Sequence, residues 1–543
     1  MTNACLILHR VAFRLPDGRA LFKDLDAQFD ACPTGLVGRN GIGKSVLAKI
    51  LAGLIEPSAG SCARPGRVRY LAQQIATTDY RCVADVAGVQ GVLDALARIE
   101  AGSTAHEDFD RVGDAWDMRQ RLHNELAQNG LGHLAAEDPA ARLSGGECTR
   151  VALLGAFLAE PDFLILDEPT NHLDRPNRLA LFEQLARWRG GLIVVSHDRE
   201  LLERMERIVE LSSLGLRSYG GGYSFYAEQK ALERENAIAD LERAKLERKR
   251  GEQTLREQRE RQERRQASGR RERREGNQAK IVLNAMRERS EDSGGKLRQQ
   301  QAATREELSQ KVREAAGRIE EATERLLFAP GGELAPGKRV LSLQGLRLPF
   351  GSHADYPIEL ELAGPRRVAL RGPNGCGKST LLRVIAGEIA PAAGRCEVRV
   401  RTAYLDQQAA RLDPARSLLE QFAVANPQIA EGELRTWLAL LGLGVAEVTR
   451  PSGKLSGGER LKAALALELY AETPAQLLLL DEPSNHLDLV SLEALEAMLR
   501  EYRGALLVVS HDERFLARLN LDASLTANDG GWRFDAGVAE KAL

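Results

Sequence analysis

The sequence predicts an α/β fold that is built twice in one chain, with a long helical hairpin between the two copies. Three observations lead to this prediction. The same short motifs recur in the same order in both halves, and in each half short apolar runs alternate with helical segments. Between the halves lies a segment rich in Arg, Glu and Gln, with almost no aromatic residues.

A set of short motifs carries the repeat. GRNGIGKS and GPNGCGKS place Lys44 and Lys378 334 residues apart, and YLAQQ and YLDQQ keep that spacing. LSGGE then recurs at Ser144 and Ser456, 312 residues apart, and LDEP(T/S)NHLD and SHD recur 314 residues apart. The spacing falls by 22 residues between YLAQQ and LSGGE. The first half therefore carries one modest insertion, which we place near residues 108–128.

The two halves are predicted to be α/β domains, at residues 1–226 and 336–543. Runs such as FLILDEP, LIVVSHD, LLLLDEP and ALLVVSHD are short and apolar and end in polar residues. This pattern is typical of strands buried in a parallel sheet. Ligands of such sheets bind at the carboxyl ends of the strands. The polar residues that end these runs are therefore candidates for a ligand site.

Residues 227–335 are predicted to form the hairpin. Their composition favours helix, and six apolar residues follow the 4, 3, 4, 3, 4 spacing of a coiled-coil seam. These residues are Leu308, Val312, Ala315, Ile319, Ala322 and Leu326. Glycines interrupt the middle of the segment, at Gly269, Gly276, Gly294 and Gly295. The sequence therefore predicts two antiparallel helices, the first reaching about Arg265, joined by an irregular tip.

The predicted tip is basic. Its sequence RQERRQASGRRERREGNQAK has seven arginines, at 261, 264, 265, 270, 271, 273 and 274, against three glutamates. Such a run can be a solvated helix face. It can also contact RNA, because arginine pairs with phosphate through two hydrogen bonds and stacks on bases. Both interpretations stay open from the residues alone.

The composition is that of an ordinary soluble protein of two or three domains. The chain has 543 residues, and 75 basic residues against 77 acidic ones give a net charge of −2. Seven scattered cysteines without a CxxC pair indicate neither a zinc site nor a disulfide framework. No signal peptide and no run of about 18 apolar residues is evident. We therefore expect a cytoplasmic protein without a membrane span.

The two glycine-rich motifs have the pattern of loops that cradle phosphates. In a G-x-x-x-x-G-K-[ST] loop, backbone N–H groups and the lysine bind the phosphates of ATP while the hydroxyl holds Mg²⁺. In the first half, the predicted ATP-binding residues are Gly38, Asn40, Gly41, Gly43, Lys44 and Ser45. In the second half they are Gly372, Asn374, Gly375, Gly377, Lys378, Ser379 and Thr380. Ser45 and Ser379 are also the predicted Mg²⁺ ligands of these loops.

Each LDEP run adds two carboxylates at the end of a strand. The aspartate is predicted to support Mg²⁺, and the glutamate to orient and deprotonate the attacking water. The aspartates are Asp167 and Asp481, and the glutamates are Glu168 and Glu482. His197 and His511 follow thirty residues after the aspartates, where an imidazole could contact the γ-phosphate.

With these motifs in place, the whole chain resembles the ABC-F proteins, which carry tandem ATP-binding cassettes without membrane domains. LSGGE, DEP(T/S)NHLD, SHD and YGGGYSFY are similar to the signature, Walker B with D-loop, switch and linker-preceding segments of that family. The resemblance implies that the cassettes close head to tail, with each phosphate loop facing the signature of the other half. The signature residues are Ser144, Gly145 and Gly146, and Ser456, Gly457 and Gly458. Gln73 and Gln407 are also predicted to bind ATP and to be Mg²⁺ ligands.

The resemblance implies a function on the ribosome. ABC-F proteins bind the exit site in the ATP-bound closed state, with the hairpin directed at the peptidyl-site tRNA, and hydrolysis releases them. Large-subunit RNA and this tRNA are thus the implied partners of a monomer, in translation regulation, rescue of stalled ribosomes or antibiotic resistance. The insertion would be a short form of the family's arm. Two alternatives remain, a motor subunit of a transporter and a DNA-associated ATPase.

Some positions depart from the family pattern. Val46 replaces a hydroxyl residue, Cys148 stands where the second half has Arg460, and Ser484 replaces a threonine. The aromatic residue that stacks on adenine is also uncertain. Candidates are Phe350 in the second half and Leu15 or Phe13 in the first. We therefore expect the first site to bind adenine less specifically.

Overall fold

The computed structural model describes residues 5–73, 75–171, 173–275, 280–317, 331–406, 411–440, 443–485, 487–528 and 530–537. Met1–Ser224 and Thr323–Leu543 form one compact unit, which holds both repeated halves. We call these halves the first and second cassettes. Phe225–Ala322 form a second unit, the helical hairpin.

The first cassette alternates strands and helices as predicted. Its strands are β1 (Leu6–Arg14), β2 (Ala20–Phe29), β3 (Thr34–Val37), β4 (Ala59–Ala63), β5 (Val68–Leu71), β6 (Phe163–Asp167), β7 (Gly191–Val195), β8 (Arg207–Ser212) and β9 (Gly215–Gly220). Its helices are α1 (Lys44–Leu51), α2 (Val83–Val86), α3 (Gln90–Glu100), α4 (His106–Val112), α5 (Met118–Gln128), α6 (Gly145–Leu158), α7 (Arg175–Arg187) and α8 (Arg199–Glu203).

A mostly parallel sheet forms the centre of this cassette. Its strand order is β5-β6-β7-β3-β8-β9, with only β9 antiparallel to its neighbour. A smaller antiparallel sheet has the order β2-β1-β4. Successive residues of β6 face different cores, because side chains alternate along a strand. Leu164 and Leu166 pack with helix α6, whereas Phe163 and Ile165 pack with helix α1 and the small sheet.

The hairpin is formed by α9 (Tyr223–Glu275), whose first two residues belong to the other unit, and by α10 (Lys280–Gly317). The helices are antiparallel, because Lys311 Nζ lies 3.2 Å from Glu247 Oε1 and Leu308 packs over Gly251. A Cβ on Gly251 would lie 2.4 Å from Leu308 Cδ1. Leu308 and Ala315 of the predicted seam are buried. No helix in the described part of the chain is both long and apolar enough to cross a membrane.

The hairpin consists of two helices, as predicted, but three of the four predicted glycine interruptions are wrong. Gly269 lies within α9, and Gly294 and Gly295 lie within α10, while α9 ends at Glu275 rather than near Arg265. A glycine costs a helix only about 1 kcal/mol, and strong helix formers surround each of these glycines. At about 1.5 Å per residue, α9 is about 80 Å long. Gly276, Ile319, Ala322 and Leu326 lie outside the described residues.

The second cassette repeats the first strand for strand. Its strands are β10 (Arg339–Arg347), β11 (Ile358–Ala363), β12 (Arg367–Arg371), β13 (Ala393–Val398), β14 (Thr402–Leu405), β15 (Leu477–Asp481), β16 (Ala505–Val509), β17 (Ala523–Asn528) and β18 (Gly531–Ala536). Its helices are α11 (Lys378–Ile385), α12 (Leu418–Ala425), α13 (Glu431–Leu440), α14 (Val445–Thr449), α15 (Gly457–Leu469), α16 (Leu489–Glu501) and α17 (Glu513–Arg518). The sheets have the orders β14-β15-β16-β12-β17-β18 and β11-β10-β13.

The insertion predicted in the first cassette falls on α4 and α5. Val112, Met118, Leu122 and Leu126 are buried in the same core cluster as residues of α6. This segment therefore contributes to the helical layer of its domain. The predicted α/β fold with two phosphate-loop domains and a helical hairpin is confirmed.

Candidate ATP-binding and hydrolysis sites

The phosphate loops connect the buried strands β3 and β12 to the helices α1 and α11. Their glycines have left-handed backbone angles, with φ of 151°, 76° and 108° at Gly38, Gly41 and Gly43. A Cβ on Gly38 would lie 2.3 Å from the carbonyl oxygen of Leu211, so no larger residue fits there. The second loop has nearly the same angles, at Gly372, Gly375 and Gly377. Both loops can therefore direct backbone N–H groups at an anion.

The lysine of each loop is buried and folded back over it. Lys44 Nζ donates to the carbonyl oxygens of Gly38 and Arg39, at 2.7 and 3.0 Å. Lys378 Nζ makes the equivalent two contacts, both at 2.9 Å. Burial lowers the pKa of Lys44. Each ammonium group thus lies at the loop, where negative phosphates would replace the lost hydration.

An aspartate lies at the end of the strand beside each loop. The Tyr70 hydroxyl donates to Asp167 Oδ2 at 3.0 Å, and the Tyr404 hydroxyl donates to Asp481 Oδ2 at 3.2 Å. The phosphate-loop serine also hydrogen-bonds to each aspartate. These serines are Ser45 and Ser379. The other oxygen, Oδ1, is buried in both aspartates and has no hydrogen-bond partner among the described residues. A buried, unsatisfied carboxylate oxygen beside a serine hydroxyl fits the oxygen ligands that Mg²⁺ prefers.

The glutamate after each aspartate has a strained backbone. Glu168 and Glu482 both have φ of 50°, a conformation that costs about 1–3 kcal/mol outside glycine. Their N–H groups donate to the carbonyl oxygens of Val195 and Val509, at 2.8 and 2.9 Å, which holds the turn. Burial raises the pKa of both carboxyls, that of Glu482 to about 7. A carboxylate with a pKa near the working pH is suited to be a general base.

A partly buried histidine accompanies each glutamate. The backbone N–H of His197 lies 3.4 Å from Glu168 Oε2, and the ring Nε2 of His197 lies 3.7 Å from Oε1 of the same glutamate. For His511 and Glu482 the corresponding distances are 3.2 and 3.3 Å. Burial lowers the pKa of both imidazoles, that of His511 to about 4. Both rings are therefore neutral at pH 7, and each can donate one N–H to a phosphate oxygen.

The signature serines begin helices α6 and α15. Ser144 and Ser456 each form a capping box with the glutamate three residues later. The first residues of both helices are glycines, so the N–H groups at these helix ends are not shielded by side chains. Such a helix end is a site for an anion.

A cavity of about 920 Å³ brings most of these groups together. Its lining includes both lysines, both Asp–Glu pairs and both histidines, together with Asn40, Gly41, Gly43, Ser45, Gln73, Asn374, Gly375, Gly377, Ser379, Thr380, Ser456 and Gly457. Among the described residues it does not include Ser144, Gly145, Gly146 or Gly458. The predicted pairing of the first signature with the second phosphate loop therefore stays a prediction. Gln407 lies outside the described residues.

The two cassettes touch each other through the aspartates of their NHLD motifs. The Asn40 N–H donates to Asp488 Oδ2 at 2.8 Å, and the Asn374 N–H lies 3.4 Å from Asp174 Oδ2. Each aspartate also caps the helix that follows it, α16 or α7. Each phosphate loop is thus contacted by the opposite cassette, which is a head-to-tail arrangement.

Sequence reasoning did not assign a role to several residues of these sites. Tyr70 and Tyr404 begin the repeated YLAQQ and YLDQQ motifs, and Asp174 and Asp488 end the repeated NHLD motifs. Their recurrence was a usable signal. Arg178 also lines the cavity, but it has no equivalent in the second half and therefore gave no such signal.

The base-binding sides of the two sites differ. In the first cassette a short turn between β1 and β2 places Leu15 and Arg19 on the cavity wall, beside Leu21 of β2. Phe13 instead packs against Phe22, with ring centroids 6.3 Å apart, in the core. In the second cassette the equivalent loop is longer and carries Phe350, whose side chain is 66% exposed. An aromatic platform is therefore accessible near the second site only, among the candidates that the sequence offered.

Comparison with known proteins agrees with this geometry. Residues 30–171 and 356–485 match the family model described as ABC transporter. The chain is 34% identical to the tylosin resistance ATP-binding protein TlrC of Streptomyces fradiae, over 94% of this chain and 95% of that protein. It is 32% identical to the energy-dependent translational throttle protein EttA of Mycobacterium tuberculosis, over 89% of this chain and 84% of that protein.

Solved structures give the same fold. The archaeal ribosome recycling factor aABCE1, solved in complex with the ribosomal stalk protein aP1, superposes with a TM-score of 0.58 at 18% identity. The match covers 97% of this chain and 90% of that one. An RNase-L inhibitor superposes with a TM-score of 0.56, also at 18% identity. At this identity the likeness concerns the fold alone, that of two cassettes in one chain.

Proposed function

We propose that this chain, which belongs to the ABC-F family of tandem ATP-binding cassette ATPases, binds the ribosome in its closed ATP-bound form and leaves after hydrolysis. The observation that carries the proposal is that both cassettes of one chain repeat the same lysine, aspartate, glutamate and histidine around one cavity, together with a hairpin whose first helix is about 80 Å long. The centres supply an ATP-driven switch. The hairpin supplies reach toward a large partner.

Hydrolysis uses the same groups in both cassettes. The phosphate loops and Lys44 or Lys378 would bind the phosphates, and the loop serine with the strand-end aspartate would hold Mg²⁺, which neutralises charge on the transferred phosphoryl group. Glu168 or Glu482 would accept a proton from the attacking water. The neutral histidine beside it would donate to the γ-phosphate. The signature helix N-terminus of the opposite cassette completes the phosphate site.

Closure follows from the shared position of the phosphates. Each ATP would lie between a phosphate loop of one cassette and the signature serine of the other, Ser144 or Ser456. ATP therefore favours the closed state because it gains contacts from both sides, and loss of the γ-phosphate removes part of them. This gives a binding state with ATP and a release state with ADP.

The ribosome is favoured as the partner by two features. The names of two similar proteins refer to translation or to resistance to tylosin. In addition, the α9 end of the hairpin carries the arginine run, and the side chains of Arg261 and Arg264 are exposed. We infer that the hairpin tip contacts large-subunit RNA and the peptidyl-site tRNA from the exit site. The chain would act as a monomer that regulates translation, rescues stalled ribosomes or protects them from an antibiotic.

The deciding experiment is cosedimentation of the Glu168→Gln, Glu482→Gln protein with ribosomes. This variant keeps the groups that bind ATP and lacks both bases, so ATP should hold it closed. We expect cosedimentation in ATP and loss of it in ADP. Absence of binding in ATP at low and moderate salt would overturn the proposal. Association with a membrane protein or with genomic DNA in a pull-down would then favour the transporter or DNA alternative.

The contribution of the tip is tested separately. Reversal of Arg270, Arg271, Arg273 and Arg274 to Glu should leave the ATPase activity of the free protein intact and weaken ribosome binding, more so at higher salt. A matched control reverses four exposed arginines in the earlier part of the same helix, namely Arg234, Arg243, Arg250 and Arg256. Equal ribosome binding by both variants would mean that the arginines at the tip are only a solvated helix face and do not contact RNA.

A further inference from the structure

One arginine contacts both hydrolysis sites. Arg178 lies one turn into α7, and its side chain is only 8% exposed. Its Nη1 donates to the backbone carbonyl oxygen of His511 in the second cassette. Its Nη2 donates to Asp198 Oδ2 in the first cassette at 2.6 Å. A buried guanidinium group thus bridges the SHD segments of the two cassettes.

Each of these segments orients a base. The backbone N–H of His511 donates to Glu482 Oε2 at 3.2 Å. Arg178 binds the carbonyl oxygen of the same histidine, and His511 therefore connects Arg178 to Glu482. Asp198 directly follows the histidine whose N–H lies 3.4 Å from Glu168 Oε2. Two direct hydrogen bonds from one side chain therefore link the two segments.

The start of α7 also touches the second phosphate loop. Asp174, which caps the helix, approaches the Asn374 N–H at 3.4 Å, one turn before Arg178. The first turn of α7 consequently contacts both the phosphate loop and the SHD segment of the second site. The helix is placed to respond when the nucleotide at that site changes.

The bridge is present once, although the fold is present twice. At the 314-residue offset, Leu492 takes the position of Arg178 and is buried and apolar. Asp512 takes the position of Asp198, yet within the described residues it has no ion pair within 4.0 Å. Burial raises the pKa of Asp512. The two sites are therefore joined by an asymmetric link.

We propose that Arg178 is a positioning residue that couples the two hydrolysis sites, so that the nucleotide at the second site controls how Glu168 is held at the first. A buried charge is stable only while its partners stay in place. If the His511 carbonyl moves after loss of the γ-phosphate, the guanidinium must follow and carry Asp198 with it. The inference rests on the ATPase activity and is independent of ribosome binding.

The test compares steady-state phosphate release from the full chain and from its single-base variants. For independent sites, the wild-type rate equals the sum of the Glu168→Gln and Glu482→Gln rates. With coupling, we expect the wild-type rate to exceed that sum by at least about fivefold, the lower end of common coupling factors. We call the wild-type rate divided by the sum of the two single-variant rates the coupling ratio. Arg178→Leu, which introduces the leucine found at the corresponding position 492, should bring the coupling ratio and the Hill coefficient for ATP to about 1.

A matched control comes from the same helix. Arg175 also crosses to the second cassette, where it pairs with Glu513 at 2.7 Å, but it is 60% exposed and its counterpart is Leu489. Arg175→Leu should keep the wild-type ratio. If Arg178→Leu fails to fold, Asp198→Asn serves instead, because it removes the ion pair and can keep the cap of α8.

The outcomes are decisive in both directions. Loss of the ratio in Arg178→Leu or Asp198→Asn, with the melting temperature checked and Arg175→Leu unchanged, supports the proposal. Retention of the wild-type ratio and Hill coefficient in a folded Arg178→Leu protein overturns it. So does a wild-type rate that already equals the sum of the single variants. A purely structural role would lower rates and stability without changing this ratio.

Discussion

The two candidate catalytic centres are nearly identical, whereas their surroundings are not. In both, the lysine contacts two loop carbonyls, a tyrosine holds the aspartate and the glutamate has φ of 50°. Around them, the Asp488 contact to the first phosphate loop is shorter than the Asp174 contact to the second, 2.8 against 3.4 Å. Phosphoryl transfer makes the same demands on both centres, but it does not constrain the residues that connect them.

The clearest difference lies at the interface between the cassettes. Glu496 is buried and accepts from Arg199 of the first cassette at 2.5 Å and from Arg518 at 2.8 Å. Its counterpart in the first cassette is Phe182, an apolar core residue. The matching side is crossed instead by Arg178, which donates to the carbonyl oxygen of His511, while Phe182 packs in the core of its own cassette. This comparison suggests that the sites share chemistry and differ in how firmly they are closed.

The largest effect is expected from removal of both bases, which tests the shared chemistry. Glu168→Gln with Glu482→Gln should lower phosphate release by about 10²–10⁴-fold, the contribution of a positioned general base. ATP binding should persist because the phosphate loops are intact. Release of radiolabelled phosphate under saturating ATP measures the change. Glu183→Gln, at an exposed glutamate of α7, is the control and should have the wild-type rate.

The second prediction tests the ionic cluster. Glu496→Gln leaves two arginines facing a neutral side chain, and loss of one partner of a buried pair costs about 3–5 kcal/mol. We expect the lower end, about 3 kcal/mol, because the amide oxygen still accepts one hydrogen bond. Urea unfolding followed by tryptophan fluorescence measures the loss of stability. Glu493→Gln, at an exposed position one turn earlier on α16, should change it much less.

A result of equal stability would remove the proposed difference in closure. It would mean that the cluster compensates its own desolvation and adds nothing net, which is known for buried ion pairs. Replacement of Glu496 and Arg199 together by apolar residues would then be neutral as well. The interface of the two sites would have to be regarded as energetically symmetric.

The third prediction concerns recognition of the adenine ring of ATP. Phe350 is accessible near the second site, while the first site offers Leu15 and Arg19. Aromatic stacking contributes about 1 kcal/mol, so Phe350→Ala should weaken ATP binding at the second site about fivefold and reduce its preference over GTP. Nucleotide titration with the first site blocked by Lys44→Ala measures this. Leu15→Ala with the second site blocked should leave the ATP to GTP ratio of the first site unchanged.

The motifs predicted many of the side chains that line the cavity, because the geometry of each motif is local. A phosphate loop, a strand-end Asp–Glu pair and a helix-capping serine each depend on a few consecutive residues, and the parallel sheet aligns them. Contacts across the interface could not be predicted in this way. Arg178 meets His511 only because the cassettes face each other, and one sequence does not reveal which side chains span that gap.

In the hairpin, local sequence signals were misleading. Glycines at 269, 294 and 295 indicated a break, yet the helices continue through them. Local propensity is a weak prior, because the surrounding Arg, Glu and Gln outweigh a cost of about 1 kcal/mol per glycine. Gly251 even allows close packing, since Leu308 occupies the place of its missing side chain. Tertiary contact gave this glycine a role that spacing alone did not indicate.

The smallest effect is expected at the residue after each loop serine, where the cassettes differ by one hydroxyl group. Val46 and Thr380 both line the cavity, and threonine matches valine in shape. One additional hydrogen bond contributes about 0.5–1.5 kcal/mol. Val46→Thr should therefore tighten ATP binding at the first site about twofold or more, and Thr380→Val should weaken the second site by a similar factor, each measured with the other site blocked. If only Thr380→Val changes affinity, the first site lacks a phosphate oxygen within reach of position 46, and its nucleotide must lie differently from that of the second.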